Sequence, residues 1–222
     1  MRIALCGGTG DIGEALALRW AYHTSHEILV GSRDPERARG KAEEYETELD
    51  SRGVDAEVKG FANEMAADRA DVVVLAVPAY HLVDTVEAIA DRLDEDTVVV
   101  TPAVGMKRDD AGLHYNPPGA GSVAALCADA VPEGVPLVGA FHNLAAGRLA
   151  DLDADVEWDT LVFGDDPDAK DIVSLLAEEI AGLRALDAGG LANASEVESV
   201  TALLINVAAN NDGLHDLGVR FQ

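Results

Sequence analysis

Short apolar runs alternate with amphipathic stretches through the first two thirds of the chain. Each run has the length and β-branched content of a strand, and the stretch after it has apolar residues at helical spacing. The runs predict strands at 2–6, 27–31, 56–60, 72–77, 98–101 and 136–141, and the stretches predict helices at 11–22, 35–51, 61–67, 82–93 and 123–131. Because strands that alternate with helices pair in parallel, we expect an α/β fold with a doubly wound parallel sheet.

The pattern becomes less regular in the last third of the chain. It predicts, in order, an acidic linker, a strand, a helix, an edge strand and a long final helix, at 151–155, 160–164, 167–180, 183–187 and 194–209. The apolar stripe of the final helix belongs either to the core or to a dimer interface, and we favour the interface. The stretch 105–122 is polar and rich in glycine and proline, which predicts a loop.

The first predicted strand leads directly into a glycine-rich turn. Gly8, Gly10 and Gly13 have the spacing G-x-G-x-x-G between a strand and a helix. In that context Gly8 permits a tight turn, Gly10 leaves room for a pyrophosphate, and Gly13 allows the helix to pack against the strand. The amides of the first helical turn then face the phosphates. The motif predicts a Rossmann-type dinucleotide site, the alternative being a strand–helix turn without a ligand.

The end of the second predicted strand indicates which dinucleotide binds. An NAD site places an acid there for the ribose 2′-hydroxyl, whereas this strand ends in Ser32 and Arg33. A hydroxyl and a planar guanidinium suit a 2′-phosphate, and Arg37 follows one helical turn later. Asp34 is the alternative ribose ligand, but its place before Pro35 is typical of a helix cap. We therefore expect NADP(H).

These features predict a division of the chain. We expect residues 1–148 to form an NADP-binding Rossmann domain and residues 149–222 to form a small C-terminal α/β extension. In this fold the carboxyl ends of strands one, four and five line the crevice that receives the dinucleotide. Residues 77–81 and 101–104 are therefore candidates for its two walls.

The charge balance argues against some partners. The 222 residues include 41 acids and 16 bases, which gives a formal net charge of −25 at pH 7. Such a surface repels nucleic acid and anionic membranes, and no apolar run reaches the roughly 18 residues of a spanning helix. Acids spread along a chain suit concentrated salt, so we expect a halophilic source, the alternative being an ordinary acidic protein. Cys6 and Cys127 form no disulfide framework, and a cytoplasmic location is expected.

Few residues offer chemistry beyond a cofactor site. No His or Cys cluster has the spacing of a metal site, so no metal is expected. His81 and His142 are the candidate general bases, although a lone histidine at a helix start is more often structural. A hydride exchange between two organic cofactors needs no side-chain base, only two rings held face to face. We therefore expect no catalytic side chain.

Five strings of residues together resemble a known family. They are GGTGDIG at 7–13, VGSR at 30–33, AVP at 76–78, LDAG at 186–189 and VESVT at 197–201. In this order they are similar to the NADPH-dependent coenzyme F420 reductases, or F420H2:NADP oxidoreductases, of archaea and actinobacteria. The likeness runs over nearly the whole chain, and a haloarchaeal member would agree with the acidic composition.

The resemblance implies a reaction, its cofactors and their ligands. It implies hydride transfer between NADP(H) and coenzyme F420, an 8-hydroxy-5-deazaflavin, with residues 149–222 completing the deazaflavin cleft; the homodimer is expected from the apolar stripe of the final helix. The implied ligands of the pyrophosphate are Thr9, Gly10, Asp11 and Ile12, and those of the 2′-phosphate are Ser32, Arg33 and Arg37. The residues implied to line the adenosine or nicotinamide are Val77, Val100, Pro102 and, beside the nicotinamide, Ala145.

Two other functions stay open on the sequence. One is an NADP-dependent reductase of a small carbonyl or imine substrate, which requires a proton donor such as His81 or His142. The other is a non-catalytic module that senses NADPH and reports it to a partner through its last helix. The first differs from the F420 reaction in its need for a proton donor, and the second in showing no turnover.

Overall fold

Strands and helices follow the predicted alternation. The computed structural model describes residues 1–110 and 112–222. The strands are β1 (Arg2–Cys6), β2 (Glu27–Ser32), β3 (Val58–Ala62), β4 (Val72–Leu75), β5 (Val98–Thr101), β6 (Met106–Asp109), β7 (Gly112–Tyr115), β8 (Leu137–Gly139), β9 (Trp158–Gly164) and β10 (Leu183–Asp187). The helices are α1 (Asp11–His23), α2 (Pro35–Ser51), α3 (Asn63–Ala67), α4 (Ala79–Ile89), α5 (Val123–Ala130), α6 (Ala146–Ala150), α7 (Pro167–Glu178) and α8 (Ala194–Ala209).

Eight of the described strands form one sheet in the order β10-β9-β8-β5-β4-β1-β2-β3. All neighbouring strands pair in parallel except β8 and β9, which are antiparallel. From β1 the chain first builds outward through β2 and β3, and it then crosses back to add β4 on the other side of β1. Ligands of such sheets bind outside the carboxyl ends of the strands where the order reverses. The topology therefore places a crevice beyond β1 and β4.

Helices cover both faces of the sheet, as the doubly wound fold requires. Ile3 and Leu5 point to the face covered by α1, α2 and α7, whereas Ala4 and Cys6 point to the face covered by α3, α4 and α5. Successive side chains of a strand alternate between faces, and strands buried on both faces read as continuous apolar runs. Trp20 of α1 is fully buried between the sheet and the helices on the face of Ile3 and Leu5. The predicted α/β fold class is confirmed.

The sheet continues beyond residue 148. β9 adds to β8, and β10 adds to β9 as the edge strand that its sequence predicts. The predicted boundary between residues 1–148 and 149–222 falls inside α6, and the strands on either side of it share hydrogen bonds. The division into two domains at this point stays a prediction.

Some local predictions are wrong. The polar stretch 105–122 is not all loop, because β6 and β7 form an antiparallel hairpin; residue 111, between the two strands, lies outside the described residues. The side chains of β6 are exposed along its length, so it lacks the apolar alternation by which strands are recognised. β3 begins two residues later than predicted, at Val58, and α4 begins at Ala79, directly after Pro78. No helix in the described ranges is long and apolar enough to cross a membrane.

Candidate cofactor-binding cleft

The glycine-rich turn joins β1 to α1 at the carboxyl edge of the sheet. Gly7 has a φ of 83°, in the left-handed region that favours glycine. The tight turn is therefore made at Gly7 and not, as the motif indicated, at Gly8. A Cβ on Gly13 would lie 2.6 Å from the Cα of Gly8, so the predicted close packing at Gly13 is confirmed. On Gly10 a Cβ would meet no described atom nearer than 3.5 Å, which leaves that side of the turn open.

The start of α1 fits a phosphate group. Gly10 is the N-cap of this helix, and no side chain in the described part of the chain caps it. The N–H groups of the first turn have no partner within the helix, and such groups bind anions at many helix N-termini. Gly10, Asp11 and Ile12 all line the cleft at this point. The residues present therefore fit the pyrophosphate of a dinucleotide.

Tyr45 of α2 supports the same turn from behind. Its hydroxyl donates to the carbonyl of Gly8 at 2.9 Å and lies 3.3 Å from Oε2 of Glu14. Burial and the neighbouring carboxylate of Glu14 raise the pKa of Tyr45 well above its usual range, so this hydroxyl remains a donor. Sequence reasoning missed Tyr45, because nothing in the charged helix around it indicates a contact with a distant turn.

The carboxyl end of β2 places Ser32 and Arg33 near the glycine turn. Ser32 is 8% exposed, and its Oγ accepts the backbone N–H of Asp34 at 3.1 Å. The carboxylate of Asp34 accepts the N–H groups of Glu36 and Arg37 at 3.0 and 3.3 Å. The interpretation of Asp34 as a helix cap is confirmed. That carboxylate is already bonded to the first N–H groups of α2, so it is not free to bind a ribose 2′-hydroxyl. The choice between NAD and NADP at this end of the cleft therefore depends on the basic groups beside it.

Two arginines at this end face solvent. Nη2 of Arg37 lies 3.5 Å from the carbonyl oxygen of Thr9, so the side chain reaches from α2 back to the glycine turn. Arg33 is exposed, and the described residues provide no hydrogen bond or ion pair to its guanidinium. By contrast, Lys41 on the same helix is paired with Glu44 at 2.7 Å. Arg33 and Arg37 are therefore the basic groups left to bind an external anion here.

A small cavity adjoins Arg33. It has a volume of about 130 Å³ and is lined by Arg33, Asn63, Glu64, His81, Asp84, Thr85 and Ala88. The ring of His81 packs against Tyr80 with 4.4 Å between ring centres. His81 therefore lines the cavity beside Arg33 and does not line the main cleft.

The main cleft opens where β1, β4, β5 and β8 end. Its volume is about 610 Å³. The lining residues are Gly10, Asp11, Ile12, Ala76, Val77, Pro78, Ala79, Tyr80, Pro102, Ala103, Val104, Met106, Phe141, His142, Leu144, Ala146 and Thr201. Residues 77–80 and 102–104 of the two expected walls line the cleft, Val77 and Pro102 among them, whereas His81 and the buried Thr101 do not. Val100 is 1% exposed and packs in the core below the cleft, so it does not line it.

A second cavity of about 480 Å³ lies next to the first. It is lined by residues 143–146, by α8 and by residues 214–217. Leu144, Ala146 and Thr201 line both cavities, and Ala145 lines the second. Oγ1 of Thr201 donates to the carbonyl of His142 at 2.7 Å, which holds α8 against the turn after β8. The two cavities therefore meet at a junction of mostly small or apolar residues, a shape that suits two flat ring systems.

A strained residue shapes this junction. Phe141 has a φ of 66°, a conformation that residues other than glycine rarely adopt. Its N–H donates to Oγ1 of Thr160 at 3.0 Å, and its buried ring packs edge-on against Trp20 at 5.6 Å. Such strain persists only where the surroundings hold it, and it concentrates at functional sites. Here it turns the chain sharply after β8 and directs the next residues into the cleft.

Comparison with known proteins agrees with this geometry. Residues 2–105 match the model of the family described as NADP oxidoreductase coenzyme F420-dependent. Over 212 residues the chain is 37% identical to the F420-dependent NADP reductase of Methanocaldococcus jannaschii, and the match covers 93% of this chain and 92% of that protein. The chain belongs to this family.

Two further comparisons extend the match over the whole length. The F420-dependent NADP reductase of Methanothermobacter thermautotrophicus is 39% identical over 223 residues, which cover 99% of this chain and 94% of that protein. The crystal structure of a proposed F420-dependent NADP-reductase from Arthrobacter sp. FB24 superposes with a TM-score of 0.81 at 22% identity and covers 100% of this chain and 99% of that one. The second comparison supports the Rossmann-type fold alone.

In this member of the family, His142 has the surroundings of a neutral side chain. It is 4% exposed, and neither ring nitrogen has a hydrogen-bond partner among the described residues. Burial lowers the pKa of His142 to about 3, and the ring stacks on Phe163 at 5.3 Å. An imidazole with so low a pKa is unprotonated at neutral pH and is a poor proton donor. Among the described residues, no group of three or more His, Cys, Asp and Glu side chains is arranged to hold a metal ion.

Several residues that line the cleft could not be identified as such from the sequence. Thr201 lies within the string at 197–201, but its spacing shows only that it belongs to a helix. Met106 comes from the hairpin that the sequence indicates as loop, and Phe141 ends an ordinary apolar run. Phe141 could have been found from its position at the end of a predicted strand. No signal in the sequence indicates Met106.

Proposed function

We propose that the protein transfers a hydride between NADP(H) and coenzyme F420. The observation that carries the proposal is the meeting of two cavities at Leu144, Ala146 and Thr201, one of which begins at the glycine turn. Membership in the family supports NADP(H) and coenzyme F420 as the two reactants. The nicotinamide and the deazaflavin supply the hydride chemistry when they are bound.

The residues of this protein bind and orient the two cofactors, and they exclude water from the site. We assign Thr9, Gly10, Asp11 and Ile12 to the pyrophosphate, and Ser32, Arg33 and Arg37 to the 2′-phosphate. Val77 and Pro102 line the cleft toward the junction, Ala145 borders the second cavity, and Val100 acts on the cleft only through packing. Small apolar side chains at the junction allow rings to approach and keep water out, which is what hydride transfer requires.

No step in this proposal uses a side chain as acid or base. His142 lies in the main cleft but is buried and neutral, and His81 lies beside Arg33. A reductase of a small carbonyl or imine would need a proton donor near the junction. The surroundings of the two histidines therefore favour the exchange between two cofactors over that alternative.

A direct assay tests the proposed function. Purified protein is mixed with NADPH and oxidised F420 in molar-range KCl, and the loss of the deazaflavin's visible absorbance is followed. We expect rapid loss with NADPH and much slower loss with NADH at equal concentration, because only NADPH presents a 2′-phosphate to Arg33 and Arg37. Intact NADPH binding without loss of absorbance would contradict the proposal and favour the small-substrate reductase or the sensor.

We also propose that the protein is a homodimer joined through α8. Leu203 is 60% exposed, and Val207, one turn further along, is 37% exposed. Adjacent apolar side chains exposed on one helix face are typical of a protein interface. Light scattering tests this: we expect a dimer for the wild type and a monomer for Leu203→Glu. A monomeric wild type would show that the stripe has another role.

We further propose a halophilic source, a cytoplasmic location and a second domain at 149–222. The acidic composition supports the first, and two cysteines that are buried and free are compatible with a reducing compartment. Because 41 acids repel each other less when salt screens them, thermal stability should rise steeply between ~0.1 and ~3 M KCl. A melting temperature independent of salt would contradict the halophilic assignment.

A further inference from the structure

The segment 214–221, here called the strap, first lines the second cavity and then contacts the first residues of β9 and β10. Residues 214–217 line that cavity together with Ala145 and Ala146. The strap lacks regular secondary structure, and it exposes 46% of Leu214 and 47% of Phe221. Burial of these side chains therefore contributes little to hold it in place.

Asp159 and Arg184 attach the strap to the sheet. The N–H of Asp159 donates to the carbonyl of Val219 at 2.7 Å, and its carboxylate Oδ2 accepts the N–H of Phe221 at 2.6 Å. Nη2 of Arg184 donates to the carbonyl of Phe221 at 2.6 Å. In the described part of the chain, every hydrogen bond between the strap and the sheet involves Asp159 or Arg184.

The two side chains also hold each other. Arg184 donates from Nε and Nη2 to the two carboxylate oxygens of Asp159 at 2.8 and 2.7 Å. The Asp159 side chain is 0% exposed, whereas that of Arg184 is 43% exposed. A buried carboxylate needs its charge and its lone pairs satisfied, and the strap supplies one of the donors. The ion pair and the attached strap therefore depend on each other.

β9, the strand that contains Asp159, also supports the turn after β8, which contributes to the lining of the second cavity. The carbonyl of Asp159 accepts Nδ2 of Asn143 at 2.7 Å, and Thr160 accepts the N–H of the strained Phe141. Asn143 itself lines the second cavity. The start of β9 thus sets the distance between the turn after β8 and the strap, which is the width of that cavity.

We propose that Asp159 and Arg184 are positioning residues that fix the strap as a wall of the deazaflavin half of the cleft. The inference rests on the proposed function, since it assigns the second cavity to coenzyme F420. The glycine turn and the end of β2 lie outside this arrangement. Loosening the strap should therefore weaken the deazaflavin and leave NADP(H) binding unchanged.

Three variants and one control test the proposal. Asp159→Asn removes the charge that binds Arg184, and Arg184→Lys keeps a charge but loses the bidentate contact. Gly218→Val leaves the ion pair in place and displaces the strap, because a side chain at Gly218 would overlap the indole of Trp158. Lys170→Met is the matched control, since it removes another ion pair to β10, that of Lys170 with Asp187 at 2.9 Å.

For each variant we would measure the KM for F420, the Kd for NADPH and the rate at which protease cuts the strap of the ligand-free protein. Asp159→Asn and Gly218→Val should raise the KM for F420 about tenfold, the effect of one or two lost hydrogen bonds. The Kd for NADPH should stay within about twofold. Arg184→Lys should fall between wild type and Asp159→Asn, and Lys170→Met should match wild type.

The outcomes separate this inference from the proposed function. If the wild type turns over F420 and both Asp159→Asn and Gly218→Val keep its KM, the strap assignment is wrong. A parallel rise of the KM for F420 and the Kd for NADPH would also overturn it, because that indicates a general loss of structure. If Asp159→Asn does not fold, Gly218→Val decides alone. A wild type that binds NADPH and never oxidises or reduces F420 contradicts the proposed function, whereas faster cleavage of the strap in the variants would still show that Asp159 attaches it.

Discussion

The dinucleotide half of the cleft draws its polar contacts from two short stretches, 7–13 and 32–37, whereas the second cavity draws its lining from residues 143–146 and from residues of the C-terminal segment 201–217, far along the chain. In the first half, the start of α1 is left uncapped and the start of α2 is capped by the neighbouring Asp34, while Tyr45 supports the glycine turn from α2. In the second half, the turn after β8, helix α8 and the strap take their positions from one another. Mostly local contacts therefore shape the proposed phosphate site, and tertiary packing shapes the second cavity.

The largest expected effect is at the glycine turn. Gly13→Val should abolish measurable NADPH binding and lower the free energy of unfolding by several kcal/mol, because even a Cβ would lie 2.6 Å from the backbone of Gly8. Gly40→Ala is the matched control, since that helical glycine has no described atom within 4 Å of a Cβ. It should stabilise the protein by about 0.5–1 kcal/mol. Calorimetry and NADPH titration measure both effects, and equal behaviour of the two variants would contradict the packing argument.

The next effect distinguishes the two dinucleotides. Arg33→Ala should weaken NADPH by about 10- to 100-fold, since a hydrogen bond to a charged group contributes about 1.5–3 kcal/mol. NADH binding should barely change, because it lacks the 2′-phosphate. Arg39→Ala removes an exposed arginine of α2 instead and should leave both affinities unchanged. Equal losses of NADPH and NADH in Arg33→Ala would refute the assignment of Arg33 to the 2′-phosphate.

His142 lines the main cleft in the turn after β8 and allows a test through pH. The unfolded chain protonates this residue below about pH 6.5, and the folded protein does so only near pH 3. The unfolded state therefore binds more protons in this window, and stability falls as the pH falls, by at most about 1.4 kcal/mol per pH unit. His142→Leu should remove that contribution, which denaturant unfolding at a series of pH values would reveal as a shallower slope.

Turnover of the same variant completes the test. Because a proton donor contributes about 100-fold or more, the proposed exchange predicts that His142→Leu loses less than about tenfold in kcat. A larger loss, with the KM for F420 and the Kd for NADPH unchanged, would make His142 a catalytic residue and favour the small-substrate reductase.

The smallest expected effect concerns the support behind the turn. Tyr45→Phe removes the donor to the carbonyl of Gly8 and should raise the Kd for NADPH about fivefold, in line with roughly 1 kcal/mol for one hydrogen bond. The KM for F420 should not change, since Tyr45 is remote from the strap and from α8. A rise in both constants would show that the two halves of the cleft are coupled.

The fold and the first half of the cleft were largely predictable. Alternating strands and helices, the spacing of Gly8, Gly10 and Gly13, and the cap at Asp34 are local signals, and each was found where the chain pattern placed it, although the tight turn itself lies at Gly7. The hairpin β6–β7 was missed because its exposed residues have no apolar alternation. The family resemblance implied Val100 as a cleft residue, yet its side chain lies within β5 and packs in the core.

The sequence by itself determined the α/β class, the place of the phosphate site and the preference of its residues for NADP(H), because these depend on backbone conformations and caps that a few neighbouring residues decide. Only the tertiary structure decided the second cavity. It brings Ala145, Thr201 and the strap together, it buries the His142 ring nitrogens away from any hydrogen-bond partner among the described residues, and it sets Asp159 against the strap. Contacts between residues so distant in the chain depend on how strands are ordered in the sheet, and no local pattern encodes that order.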